Sequence, residues 1–229
     1  MPLTDGDDGP LCSTAEEGRF PTMTNPSCNE KDGVFGVGVD GDPLMTSIKL
    51  ARFKFVAKML SPNDRVLDLG CGTGYCSYFY SLVAKEVVGV DLFSDVPQAQ
   101  QRYPVKNLRF VKGDVLDLPV EITSDRFDAV VSTDVIEHFT REDGERIVAS
   151  SFNLLSDRGM MIVGTPSKFS SAYRSAHSRA GHLHEYEPDE LRELCGRYFK
   201  RTLMFSMNDE IVHTGFSKLA WFIFVLGFK

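Results

Sequence analysis

Two short stretches carry side chains of the types and spacing needed for proton transfer. In Thr133-Asp134-Val135-Ile136-Glu137-His138, positions 134, 137 and 138 stand at i, i+3 and i+4, so a helical turn points them to one side. The later stretch Gly181-His182-Leu183-His184-Glu185-Tyr186 adds two imidazoles. A histidine titrates near neutrality and suits removal of a proton from a hydroxyl. His184 is the first choice for that base, with His182 and His138 behind it. His177 and His213 have no partners in sequence and read as surface or packing residues.

A third stretch has the chemistry of a binding loop. Val66-Leu67-Asp68-Leu69-Gly70-Cys71-Gly72-Thr73-Gly74 runs from a strand-like segment through three alternate glycines. Glycines there permit positive φ and let a ligand lie against bare backbone. Asp68 could bond a cationic amino group or a nearby backbone amide. The spacing is not the G-x-G-x-x-G of dinucleotide folds, and no Gly-Lys-Ser/Thr ending makes it a phosphate-binding P-loop. Lys168, Arg174 and Arg179, with no acid between Lys168 and His182, form a basic segment that would hang over the pocket as a lid.

Regular elements must position these groups. Strand-like runs fall at Arg65–Leu69, Glu86–Asp91, Leu108–Lys112, Phe127–Ser132 and Met160–Gly164. Helical patterns lie between them, near Tyr75–Val83, Val96–Arg102 and Arg141–Leu155, with another at Pro188–Arg197. Ile48, Phe53, Val56, Ala57 and Leu60 recur at helical spacing before the first strand. Continuous Val/Ile/Leu strands alternating with helices predict a doubly wound, Rossmann-like parallel sheet covered on both faces. Arg201–Ser206 and Phe216–Gly227 leave no room for an intervening helix, so they form an antiparallel pair, giving seven strands in all. The glycine loop then lies at the carboxyl end of the first strand, where open α/β sheets bind ligands.

Composition narrows the function classes. The 229 residues carry a net charge of −7 with 42% hydrophobic residues, which excludes a disordered or fibrous chain. Met1–Asp42 alone sums to −7, leaving a formally neutral body. Residues 1–43 read as an acidic, flexible or loosely docked leader and 44–229 as one domain. There is no strong nucleic-acid signal. Leu219–Gly227 is far shorter than the ~20 residues of a membrane span. Five cysteines without a zinc-like pair, and no basic-then-apolar N-terminus, give a cytoplasmic protein with reduced thiols.

With these pieces in place, Leu44–Lys229 resembles the class I S-adenosylmethionine-dependent methyltransferases. The resemblance implies that Asp68–Gly74, with Gly70, Cys71, Gly72 and Gly74, wraps the amino-acid end of that cofactor. It implies that Asp91 holds the ribose hydroxyls, a pairing that suits a bidentate acceptor. It also places Leu92 against the adenine, Asp114 at the adenine amino group, Val115 beside the ring and Thr133 in contact with the cofactor. D-V-I-E-H, G-T-P-S and H-L-H-E-Y are similar to the ubiquinone-biosynthesis-type branch, in which O-methyltransferases are common. The first and last pieces also resemble plant-type small-RNA 2′-O-methyltransferases, which implies a divalent metal on Asp134, Glu137, His138 and His184. The preferred role for Glu137 and His138 is bracing of the loop without metal.

The expected activity is therefore O-methylation of a hydroxyl on a small or sugar-containing acceptor, which the basic lid permits to be anionic, with S-adenosylhomocysteine as product. N- or C-methylation and RNA 2′-O-methylation are the alternatives. Outside the methyltransferases stand a non-catalytic cofactor-binding partner subunit and a nicotinamide enzyme.

Overall fold

The computed structural model describes residues 43–92, 96–173 and 180–229. The acidic leader, and Arg174, Ser175, His177, Ser178 and Arg179 of the expected lid, lie outside the described residues.

Eight strands form a single sheet in the order β3-β2-β1-β4-β5-β8-β6-β7. They are β1 (Arg65–Leu69), β2 (Glu86–Asp91), β3 (Leu108–Lys112), β4 (Phe127–Thr133), β5 (Leu155–Pro166), β6 (Arg201–Asn208), β7 (Ile211–His213) and β8 (Phe222–Phe228). The first five are parallel, while β8 inserts antiparallel between β5 and β6. The doubly wound sheet with antiparallel C-terminal strands is thus present, with eight strands where the sequence predicts seven. The extra one is β7, three residues that fold back on the end of β6 through Asp209, which adopts φ 50°. The expected run from Phe216 does not start as a strand. Phe216 has φ 49° and a 3-10 turn at Ser217–Leu219 delays β8 to Phe222.

The helices are α1 (Pro43–Met59), α2 (Tyr75–Ser81), α3 (Val96–Arg102), α4 (Val120–Thr123), α5 (Arg141–Leu154) and α6 (Pro188–Gly196). Each strand sends alternate side chains to opposite faces. Val66, Val87, Ala129, Val131 and Ile162 join Val56, Ala57 and Tyr80 from α1 and α2 in one apolar layer. Leu67, Val88, Val130, Met161 and Val163 join Ile147, Val148 and Leu191 from α5 and α6 in the other. Both faces are therefore sealed, which is why the strands read as unbroken apolar runs. Helix α5 starts where Thr140 Oγ1 accepts from the Asp143 amide at 3.1 Å, and α6 starts on Pro188 with Asp189 and Glu190 in its first turn. The chain leaves β1 toward β2 and β3 on one side, and reaches β4 and β5 on the other. The order reverses between β1 and β4, which opens a crevice at their carboxyl ends.

Candidate active site

The glycine loop fills the β1 side of that crevice. Gly70, Gly72 and Gly74 adopt φ of 73°, 54° and 85°, the left-handed region in which a side chain is strained. The amides of Gly70 and Cys71 both donate to the Val90 carbonyl, at 2.8 and 3.1 Å, which pins the loop to the end of β2. A methyl group on Gly70 would overlap Val135, and one on Gly74 would sit 2.5 Å from Phe110 Cζ. At Gly72 it would meet none of the described residues within 4 Å.

Asp68 stands under this loop at only 1% exposure. Its Oδ2 accepts from Ser77 Oγ at 2.6 Å and Cys76 Sγ at 3.3 Å, while Oδ1 has no hydrogen-bond partner among the described residues. Burial pushes the Asp68 carboxyl up to about 6, against the downward pull of Ser77 and Cys76. A buried carboxylate with an unused oxygen suits a cationic group. Asp91 Oδ2 accepts from the Gly72 amide at 2.8 Å, which ties the end of β2 to the loop. Leu92 is 43% exposed beside it. Asp114 Oδ1 caps the Leu116 amide at 2.9 Å, while Val115, Cys71 and Thr133 are buried. Burial holds the Cys71 and Cys76 thiols well above their usual range, which disfavours the thiolate at both.

The turn after β4 faces this loop because Val135 packs on Gly70. Asp134 adopts φ 56° and donates its amide to the Gly164 carbonyl at 2.9 Å. Its carboxylate takes both contacts, 2.9 and 3.0 Å, from Nη1 of Arg52 in α1, whose guanidinium lies 3.9 Å over the Phe222 ring. Ile136–His138 form a 3-10 turn rather than an α-helical one. Asp134 therefore parts from Glu137 and His138. Glu137 points inward at 1% exposure and its Oε2 accepts from Thr165 Oγ1 at 2.9 Å. Burial, reinforced by Asp134, raises the Glu137 carboxyl well above the carboxylate range.

The second histidine stretch docks on the same turn through its backbone, the amides of Leu183 and His184 donating to the Glu137 carbonyl at 2.8 and 3.2 Å. His138 Nδ1 lies 2.8 Å from the Gly181 carbonyl, and its ring meets the His182 ring edge-on, centroids 5.1 Å apart. Glu137, His138 and His182 each offer a donor atom within 4.8 Å of the other two, an arrangement that could hold a cation. Asp134 and His184, expected in such a set, lie elsewhere: Asp134 on Arg52, and His184 with Nε2 2.9 Å from Glu190 Oε1. Glu190 is shared with Arg141, at 3.1 Å. In the expected lid, Lys168 pairs with Glu187 at 3.0 Å. His213 rests edge-on to Phe216.

Several contributors have no isolated sequence signal. Arg52 lies 82 positions from Asp134. Thr165 and Glu190 reach their partners only through the fold. Glu185 is three residues from His182, so its pairing at 2.8 Å was readable from spacing.

Residues 66–159 match the model of a family described as the methyltransferase domain. Over those residues the chain is similar to that family, and its fold is the class I methyltransferase fold. Among similar proteins, a Mycolicibacterium smegmatis protein named "Probable S-adenosylmethionine-dependent methyltransferase" is 34% identical over 131 residues, 56% of this chain and 49% of that one. A ubiquinone biosynthesis O-methyltransferase of Bartonella quintana is 26% identical over 161 residues, 62% of each chain. The structure of the N-methyltransferase NodS from Bradyrhizobium japonicum, in complex with S-adenosylhomocysteine, superposes with a TM-score of 0.60 at 13% identity, covering 85% of this chain and 92% of that one. The chain spans about half the length of the mycobacterial relatives it matches. Among the described residues, no helix is long and apolar enough to cross a membrane.

Proposed function

We propose that this chain transfers the methyl group of S-adenosylmethionine to a hydroxyl of a small acceptor. The residues fit that cofactor. Asp68 has a carboxylate oxygen without a hydrogen-bond partner among the described residues for the cationic amino group, Gly72 has none of the described residues within 4 Å of where a side chain would stand, and Asp91 offers a carboxylate at the adjacent strand end. When bound, the cofactor supplies an electrophilic methyl group on a sulfonium that departs as a neutral thioether. What remains for the protein is to align the acceptor and remove its proton. The observation that carries this reading is the seating of Val135 on Gly70, which brings the turn bearing Glu137 and His138 to the glycine loop, with His182 against His138.

His182 is the base in this reading, with His138 against its ring; His184 is occupied by Glu190 and serves the packing of α6. Arg52 and Asp134 clamp α1 over the site and help shape the acceptor's berth. The Glu137–His138–His182 cluster supports a second route: a divalent cation held there would lower the hydroxyl's pKa, with His182 then a ligand and not the base. The setting is cytoplasmic and reducing, where Cys71, Cys76 and Cys195 stay thiols.

The test is incubation with S-adenosylmethionine and a panel of hydroxylated metabolites, following S-adenosylhomocysteine by mass spectrometry. Acceptor-dependent product is expected, lost in His182→Ala while cofactor binding persists. Methylation confined to amines or carbon would overturn the hydroxyl assignment. Cofactor binding without turnover of any acceptor would favour a partner-subunit role.

A further inference from the structure

Glu185 is the residue near the site whose contacts the reading above leaves unused. It is half-buried in the segment after the expected lid, and its two carboxylate oxygens have different partners. Oε1 lies 2.8 Å from His182 Nδ1, with side chains only 7% and 12% exposed for the histidine and the glutamate. Oε2 accepts from Ser171 Oγ in the 3-10 turn that follows β5. Ser171 and His182 stand on either side of residues 174–179 in the chain. Glu185 therefore joins the two described ends of that segment at one carboxylate.

A carboxylate on one ring nitrogen fixes which nitrogen of a neutral imidazole carries hydrogen. With Nδ1–H donating to Glu185, the lone pair sits on Nε2. At His138 the Gly181 carbonyl, 2.8 Å from Nδ1, imposes the same choice, since a carbonyl oxygen only accepts. The two rings that meet edge-on are thus set in the same tautomer by two different acceptors.

Resting on the methyltransferase reading, we propose that Ser171 and Glu185 are positioning residues that lock His182 as its Nδ1–H tautomer and present the Nε2 lone pair for the acceptor's proton. Neither touches the reacting atoms. The hydroxyl of Ser171 orients Glu185, and Glu185 orients the imidazole.

The tautomer can be read without knowing the acceptor. Long-range proton–nitrogen NMR of the full chain, recorded where the ring nitrogen shifts report a neutral imidazole, distinguishes a hydrogen-bearing ring nitrogen from a bare one. Wild-type His182 is expected to carry hydrogen on Nδ1. A hydrogen bond to a charged acceptor biases the tautomer ratio about tenfold or more, so Glu185→Gln should reduce that ratio by about this factor. Ser171→Ala, the milder change, should move it in the same direction by less. His138 should keep its tautomer in both variants, which a general loss of structure would not allow.

Nε2–H on wild-type His182, or a ratio unmoved by Glu185→Gln in a folded variant, would overturn the relay. S-adenosylhomocysteine binding in the same samples reports separately on the methyltransferase reading. Its absence from wild type would sink that reading whatever the tautomer.

Discussion

Replacing Asp68 with asparagine tests the loop chemistry most sharply, because the side chain keeps its size and loses only its charge. Asp68 is 1% exposed, and burial pushes its carboxyl up to about 6. Protonated Asp68 thus accumulates below that pH, while a cationic amino group binds the ionised form. The ionised fraction is about one-tenth at pH 5 and about nine-tenths at pH 7. Affinity for S-adenosylhomocysteine, which carries the same amino group, should therefore rise about tenfold between those values and then level off. The sign for folding is opposite. In the empty protein the native state holds this proton more tightly than the unfolded chain, so the group's contribution to stability falls as pH rises from about 4 to about 6.

Asp68→Asn should bind about 10- to 100-fold more weakly at pH 7, the loss of a hydrogen bond to a charged partner worth ~1.5–3 kcal/mol, and show no pH dependence over this range. Isothermal titration from pH 5 to pH 7, with thermal unfolding as the control for folding, measures both. A flat wild-type profile, or a variant that binds like wild type, would refute the assignment of Asp68 to the amino group.

Other perturbations separate the roles of neighbouring residues. Gly70→Ala drives a methyl group into Val135 on a left-handed backbone and should destabilise the fold by about 2–4 kcal/mol, seen in denaturant titrations. Gly72→Ala meets none of the described residues within 4 Å, so it should cost about 1–2 kcal/mol of stability yet impair ligand binding as much as Gly70→Ala does. Arg52→Ala removes the Asp134 pair and the stacking on Phe222. It should lower stability by about 1–2 kcal/mol, a fall of about 2–8 °C in Tm, with acceptor turnover reduced more than cofactor affinity. Mn²⁺ titration followed by electron paramagnetic resonance should give one bound ion, lost in His138→Ala and His182→Ala but retained in His184→Ala. Equal loss in all three would return His184 to the site.

The glycine loop, Asp91 and the alternation of strands and helices were legible because each rests on local rules: positive φ, strand-end carboxylates and apolar periodicity. The eighth strand was not, since Ile211–His213 is three residues long and is a strand only because β6 offers an edge. Asp134, Glu137 and His138 share a face on an α-helical turn, but Ile136–His138 form a 3-10 turn preceded by Asp134 at φ 56°, and Asp134 parts from the other two. That divergence is a tertiary effect. Val135 packs against Gly70, Arg52 pulls Asp134 outward, and Thr165 receives Glu137 inside. The pairings of His182 with Glu185 and of His184 with Glu190 likewise depend on how 181–190 folds onto the Glu137 carbonyl.

The most direct measurement is a crystal structure of the chain grown with S-adenosylhomocysteine. Density is expected with the amino-acid end against Asp68 and Gly70–Gly74, the ribose at Asp91 and the adenine between Leu92 and Val115, its amino group toward Asp114. A ligand bound away from the glycine loop, or none at saturating concentration, would contradict the proposed function.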